Sequence, residues 1–197
     1  MMRYLKFLYF ALSIALLPIN FAWGADISEY KNGLLTIPSV STAEQVGMYQ
    51  DVTFKLTEQG LWQLLNLRTI GVGMVTSGLG LTFLGRVDMI KTDSFPVQVF
   101  LRVDGVLDDC FDSSLGRINQ RLENNRFDVA ITYNSFVSRP PPPPGQGVAC
   151  TAGLSSFFKT IPLPVYGLSA GIYSYSVNGK INGTFELTAD NKLPGDY

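Results

Sequence analysis

This chain of 197 residues, 46% hydrophobic and 16% charged, is long enough to fold around its own core. With 15 Lys and Arg against 16 Asp and Glu, it lacks the cationic excess expected of a protein that binds nucleic acid or an anionic membrane surface. The absence of histidine excludes a Ser-His-Asp triad, a Cys-His pair and a His-ligated metal site.

The first predicted element is a secretory signal peptide over residues 1–24. Two cations precede an apolar run over residues 7–17, and Ala22 and Gly24 are the small residues that a signal peptidase requires. The apolar run is too short for a membrane-spanning helix. We therefore expect cleavage after Gly24, a mature chain that does not span a membrane, and a periplasmic or secreted location.

Residues 25–90 are predicted to form a small antiparallel β-meander. Short runs of β-branched and aromatic residues, bounded by turn residues, are typical of strands. In this half the runs are Leu34–Val40, 48–57, 61–67 and a glycine-interrupted stretch over 69–90. The sequence becomes polar around residues 91–94, which we take as the boundary between two domains.

Residues 91–190 are predicted to form an antiparallel β-sandwich, followed by a short tail over 191–197. The sandwich begins with a strand whose apolar residues alternate with other residues, as a half-buried strand requires. The residues predicted to face inward are Val97, Val99, Leu101 and Val103. A further strand is expected over residues 157–165.

Two hairpins are predicted from their turn residues. One turns at residues 123–125 and places three residues of one strand against three of the next, with Ile118, Gln120 and Leu122 facing Phe127, Val129 and Ile131. The other pairs Gly171–Val177 with Ile181–Leu187 around Asn178-Gly179. Because no long segment after residue 24 has an apolar period of 3.6 residues, the predicted fold class is all-β, with a sandwich favoured over a barrel.

Cys110 and Cys150 are predicted to form one structural disulfide. An oxidising compartment allows the two cysteines to pair, whereas a redox centre would require Cys-x-x-Cys spacing or a nearby histidine. The bond would close a loop of about 40 residues and stabilise the fold by about 4 kcal/mol in the loop-closure model.

Arg139 precedes a run of five prolines, Pro140, Pro141, Pro142, Pro143 and Pro144. Prolines cannot donate to a β-ladder and favour an extended polyproline II conformation, so the run is interpreted as a stiff surface connection. The alternative is a contact loop that docks into an aromatic-lined groove of a partner. The common Arg-x-x-Pro-x-x-Pro spacing is not met.

Four acidic residues gather around Cys110, namely Asp104, Asp108, Asp109 and Asp112. A Ca²⁺ ion takes oxygen ligands from loops of this kind, but the Asp-x-Asp-x-Asp-Gly spacing of calcium loops is missing. Solvated acids at the end of a strand are therefore the preferred interpretation, and we expect no metal, no cofactor and no catalytic residue.

Residues 93–187 resemble a family of uncharacterised exported bacterial β-domains with an immunoglobulin-like appearance. The matching segments are 94–99, 103–107 leading to Cys110, 115–121, 125–131, 139–141 leading to Cys150, 158–163, 166–173, 177–179 and 183–187. The longer proline run and residues 180–182 depart from the family pattern, and both lie in or beside loops. The resemblance implies an immunoglobulin-like sandwich and brings no catalytic residue.

These features predict an exported, non-enzymatic binding or accessory protein that presents a β-sandwich surface to a protein or cell-envelope partner. An inhibitor of a secreted enzyme is one alternative within this class. Two further alternatives are a hydrolase that acts through carboxylates and a small outer-membrane barrel, since the mature length could supply eight strands. No motif singles out a carboxylate pair for the hydrolase.

Overall fold

The computed structural model describes residues 27–71, 78–108, 114–135 and 153–195. Over these ranges the chain is all-β, as predicted, and none of it forms a helix that could cross a membrane. The strands are β1 (Glu29–Lys31), β2 (Leu34–Val40), β3 (Tyr49–Leu56), β4 (Trp62–Gly71), β5 (Gly78–Leu81), β6 (Phe83–Lys91), β7 (Val99–Asp108), β8 (Ser114–Glu123), β9 (Arg126–Ser135), β10 (Leu154–Leu163), β11 (Gly171–Val177) and β12 (Ile181–Leu187).

The described strands form two sheets. The larger sheet has the order β1-β2-β3-β4-β5-β9-β11-β12, and β8 also pairs with β9. The smaller sheet has the order β10-β7-β6. In its central strand Val99, Leu101 and Val103 are buried, whereas Arg102 between them is exposed. The predicted alternation of this strand is therefore confirmed.

The hydrophobic core lies between the two sheets. The smaller sheet contributes apolar residues of β7 and β10, and the larger sheet contributes residues of β9, β11 and β12. Among the core residues of the larger sheet, the Phe185 ring stacks against two others. Its centroid lies 6.0 Å from that of Phe127 and 5.6 Å from that of Tyr173. Full burial of one large apolar side chain contributes about 1.5–3 kcal/mol, so this core holds the two sheets together as a sandwich.

Both predicted hairpins are confirmed. In the first, Ile118 pairs with Ile131, Gln120 with Val129 and Leu122 with Phe127. Its turn is formed by Asn124 and Asn125, both with positive φ, which is the conformation that a two-residue type I′ turn requires. The second hairpin pairs β11 with β12 over the full predicted ranges.

The predicted antiparallel meander is observed only from β1 to β4. β5 runs parallel to β4 at residues 70 and 71 and antiparallel to β9, while β6 pairs with β7 in the smaller sheet. Strands before residue 91 thus hydrogen bond to strands after it. The predicted domain boundary at this residue stays a prediction. Alternation identifies a strand, but it does not select the partner, because the partner depends on distant residues.

One edge of β9 is shared by two strands. β11 lies parallel to residues 126–129 of β9, and β5 lies antiparallel to residues 132–135, while β8 follows the opposite edge. Between β11 and β5, the side chain of Asn178 replaces a strand. Its Oδ1 accepts a hydrogen bond of 2.7 Å from the Ile131 amide, and its Nδ2 donates to the Thr82 carbonyl at 3.0 Å. The amide side chain thereby satisfies backbone groups that would otherwise be buried without partners.

Thr82 is the single residue between β5 and β6, so the chain passes from the larger sheet to the smaller sheet at this point. The residue is buried. Its amide and its hydroxyl both donate to the Ile131 carbonyl, at 2.9 and 3.0 Å.

Candidate functional site

Most of the residues that the sequence singled out lie outside the described part of the chain. They are Cys110, Cys150, Asp109, Asp112, Arg139 and the five prolines at 140–144. The disulfide and the contact loop therefore stay predictions. Asp104 and Asp108 belong to β7, where they pair with Phe158 and Leu154 of β10. Across the described ranges, no group of three or more acidic, cysteine or histidine side chains could hold a metal ion.

The structure instead brings together a carboxylate and two guanidinium groups from three strands. Arg68 of β4 donates to Oδ2 of Asp51 on β3 at 3.0 Å, and Arg117 of β8 donates to Oδ1 of the same carboxylate. Arg68 also donates to Oδ1 of Asn134 on β9 at 2.8 Å. Each of the three charged side chains is about one-third exposed, which leaves the cluster open to solvent on one side.

A β-bulge places Asp51 in this cluster. The register between β3 and β4 shifts between Gln50 and Thr53, and Asp51 has a positive φ of 54°. Aspartate tolerates this left-handed conformation better than most residues. The Asn66 side chain donates to the Asp51 carbonyl at 2.9 Å and holds the bulge. A bulge re-aims a side chain, and here it places the Asp51 carboxylate between the two arginines.

The cluster lines a pocket with a volume of about 250 Å³, which we call the arginine pocket; it is lined by Gln50, Asp51, Arg68, Leu115, Gly116, Arg117 and Asn134. Burial raises the pKa of Asp51, but the hydrogen bonds and positive charges of Arg117 and Arg68 outweigh it, so the pKa lies below its usual value. Two cations and one anion give the lining a net charge of +1.

The contacts of Arg117 continue along β8 towards the N-terminal part of the chain. Arg121, on the same face of β8, donates to the carbonyls of Thr42 and Ala43 and pairs with Asp128 at 3.3 Å. These bonds attach the segment before β3 to the sandwich. Because arginine stays protonated at any physiological pH, this polar surface can bind anions and acceptors but cannot exchange protons.

A second feature is the outer edge of β4 over residues 62–69, which we call the open edge. On one side β4 pairs with β3 along most of its length. On its other side only Ile70 and Gly71 pair, with β5, among the residues that the structure places. In a strand every second residue directs its backbone N–H and C=O to each side, so the open edge presents a row of donors and acceptors that pair with no described strand.

Four large apolar side chains of the open edge are exposed. Trp62, Leu64, Leu65 and Leu67 have exposed fractions of 49%, 50%, 51% and 43%. The Trp62 ring makes an edge-to-face contact with Tyr30, with centroids 5.8 Å apart. The strands β6, β8, β10 and β12 include the charged residues Arg86, Glu123, Lys159 and Glu186, and the open edge itself includes Arg68 near its end. Residues 62–67 include no charge.

Sequence patterns identified the strands that contain these features but not the features themselves. Arg68 follows Asp51 by 17 residues along the chain, and Arg117 follows it by 66. No local sequence motif therefore links the three residues. The one local signal was a charged residue in the middle of the β3 pattern. For the open edge, the signal was a run of six uncharged residues over 62–67, four of them large and apolar.

Residues 101–187 match the family model of the ORF11 beta-sandwich domain. The matched range begins inside β7 and ends with the last residue of β12. The similarity supports a β-sandwich domain family for this part of the chain, in agreement with the two sheets and their shared core. No curated protein and no solved structure matches the chain.

Proposed function

We propose that this protein is an exported, non-enzymatic binding or accessory protein, built on an immunoglobulin-like sandwich, that acts by contact. Its partner would be a protein or a cell-envelope component in the periplasm or outside the cell. The observation on which the proposal rests is the open edge of β4, which combines backbone groups that pair with no described strand with four exposed apolar side chains.

An edge strand of this kind suits strand addition by a partner. Natural proteins usually protect their sheet edges with charges, proline or very short strands, because an apolar edge pairs with any available strand. An extended segment of a partner would hydrogen bond to the open edge and cover its side chains. Each side chain that changes from half exposed to buried would contribute about 1 kcal/mol.

The polar chemistry of the protein supports a role without catalysis. The whole chain contains no histidine, and the arginine pocket contains two guanidinium groups, a carboxylate and two amides but no nucleophile. General acid–base catalysis near neutral pH would need a group whose pKa lies close to that pH.

The proposal is tested by capturing partners from cell-envelope extract with the purified protein and two lysine variants. Leu65→Lys places a charge on the open edge, and Ile172→Lys is the matched control. Ile172 is an equally apolar, exposed residue of β11, a strand that is paired on both sides. We expect Leu65→Lys to lose the partner and Ile172→Lys to retain it, with equal melting temperatures. Retention of the partner by Leu65→Lys would contradict the proposal.

A further inference from the structure

We propose that the arginine pocket is a binding site for a carboxylate group of a ligand. The inference does not depend on the open edge, and it is argued from the atoms that the protein's own hydrogen bonds leave available in the pocket.

The Asp51 carboxylate oxygens and the Asn134 amide oxygen in the pocket already accept hydrogen bonds. Oδ2 of Asp51 accepts from Arg68 and Oδ1 accepts from Arg117. Arginine has five N–H donors and no acceptor, so the atom of Asn134 that faces Arg68 at 2.8 Å must be the amide oxygen. The other polar atom of the Asn134 side chain, its amide nitrogen, is therefore left to bind a ligand, and it is a hydrogen-bond donor.

The donors in the pocket are not all occupied. The Arg68 guanidinium uses one N–H for Asp51 and one for Asn134, which leaves three of its five donors. None of these three bonds to a described residue. Together with Nδ2 of Asn134, they give the open side of the pocket hydrogen-bond donors in excess of acceptors, and this is the arrangement that an oxyanion requires.

Charge and size select the class of oxyanion. A carboxylate would place one negative charge beside the Asp51 carboxylate, whereas a phosphate dianion would place two there. A planar guanidinium matches the two oxygens of a carboxylate in a bidentate pair. The volume of about 250 Å³ admits a single small group rather than a whole drug-sized ligand, which needs about 300–1,000 Å³.

The pocket is also held in place before a ligand arrives. Its two arginines and its asparagine lie on β4, β8 and β9, and the Asp51 carboxylate fixes the two guanidinium groups relative to one another. A preorganised site loses less side-chain entropy on binding. Asp51 is thus a positioning residue in this proposal, and Arg68 and Asn134 contact the ligand.

The test is an NMR titration of the purified protein with sodium acetate, at constant ionic strength maintained with sodium chloride. The Arg68 Nε–H and Asn134 side-chain amide signals are expected to shift and saturate. Arg68→Lys retains the charge and removes the planar fork, and we expect it to weaken acetate binding by about tenfold. Arg126→Lys is the matched control, because Arg126 pairs with Asp128 outside the pocket; its acetate affinity should equal that of the unmodified protein.

A parallel titration with inorganic phosphate separates a carboxylate site from a general anion site. Binding of phosphate as tight as that of acetate would overturn the assignment to carboxylates, as would an acetate affinity that is unchanged in Arg68→Lys. If Arg68→Lys does not fold, Asn134→Ala provides the same comparison without removing a charge. Retention of the partner by Leu65→Lys, with acetate binding as expected, would overturn only the proposed function, so the two failures are distinguishable.

Discussion

Asn32 and Asn178 adopt the same backbone conformation, but they differ in what their side chains contact. Both precede a glycine in a hairpin turn, and their φ angles are 53° and 51°. Asn32 is exposed, whereas Asn178 is 6% exposed and bonds to Ile131 and Thr82. The turn at Asn178-Gly179 is evident from the sequence. The bonds are not, because their partners lie 47 and 96 residues away.

We predict that Asn178→Gly destabilises the protein by about 1–3 kcal/mol, because the Ile131 amide and the Thr82 carbonyl lose buried hydrogen bonds. Glycine accepts the positive φ, so the change isolates the side-chain bonds. Asn32→Gly is the matched control and is expected to change the free energy of unfolding by less than about 0.5 kcal/mol. Urea denaturation measures both, and equal effects would show that the Asn178 bonds contribute nothing beyond the turn.

Asp51 gives a second prediction, a dependence of stability on pH. Its pKa is lower in the folded chain than in the unfolded chain, so the unfolded chain binds more protons between the two values. The stabilisation is therefore present above about pH 4 and is lost as the pH falls through the lowered pKa.

Asp51→Asn retains a residue that tolerates the positive φ but removes the charge between the two arginines. We expect it to be less stable than the unmodified protein at pH 7, with the difference shrinking below pH 4. Melting temperatures between pH 2.5 and 7 measure this, with Asp93→Asn in an exposed turn as the control. A difference that stays constant over that range would contradict the assigned ion pairs.

At the level of strands, Gly105 shows why β7 can lie at the centre of the smaller sheet. A Cβ at this position would meet the Phe83 carbonyl oxygen and would lie 2.6 Å from the Phe157 ring. Neither neighbour can move freely, because one is backbone and the other is a ring packed against the core. The close approach of β6 and β10 to β7 thus requires the absence of a side chain.

We predict that Gly105→Ala destabilises the protein by about 1–3 kcal/mol through this crowding. Gly85→Ala is a matched control in the same sheet, since its Cβ would meet only the end of the flexible Asp104 side chain, at 2.7 Å. Urea denaturation should therefore show a smaller effect for Gly85→Ala. Equal effects would indicate that the cost reflects strand flexibility rather than the contacts of Gly105.

Most strands could be predicted to within a few residues, because each alternating run must bury one face. The exceptions are β1, which was not predicted, and β5 and β6, which were contained in one undivided stretch over residues 69–90. The register of the first hairpin followed from its two-residue turn. The parallel pairing of β9 with β11 could not be predicted, because Phe127 and Tyr175 meet across 48 residues through the core rather than through a turn. The contacts of Asp51 with Arg68 and Arg117 could not be predicted for the same reason, because the three residues are far apart along the chain.

At the level of the whole molecule, the proposed disulfide would join the segment that follows β7 to the segment that precedes β10. β7 and β10 pair as far as Asp108 and Leu154, so two chain segments leave the sheet at the same place. Cys110 follows Asp108 by two residues and Cys150 precedes Leu154 by four. Neither cysteine lies within the described residues, so the bond between them stays a prediction.

We predict that the exported protein contains no free thiol and that replacing both cysteines by serine lowers the free energy of unfolding by about 2–5 kcal/mol. Thiol titration of unreduced, denatured protein measures the first, and denaturation of the double variant measures the second. Reduction of the unmodified protein should reproduce the loss. Two free thiols in exported material would disprove the bond.

The passage of the chain between sheets at Thr82 has a consequence for how the molecule opens. Thr82 follows a strand of one layer, precedes a strand of the other and bonds to Ile131, so the layers are joined by covalent chain and buried hydrogen bonds at one point. Neither layer can detach as a separate cooperative unit without breaking those bonds. Native-state hydrogen exchange should therefore show the Thr82 and Ile131 amides exchanging only by global unfolding, with the same free energy of opening as Leu101 in the smaller sheet.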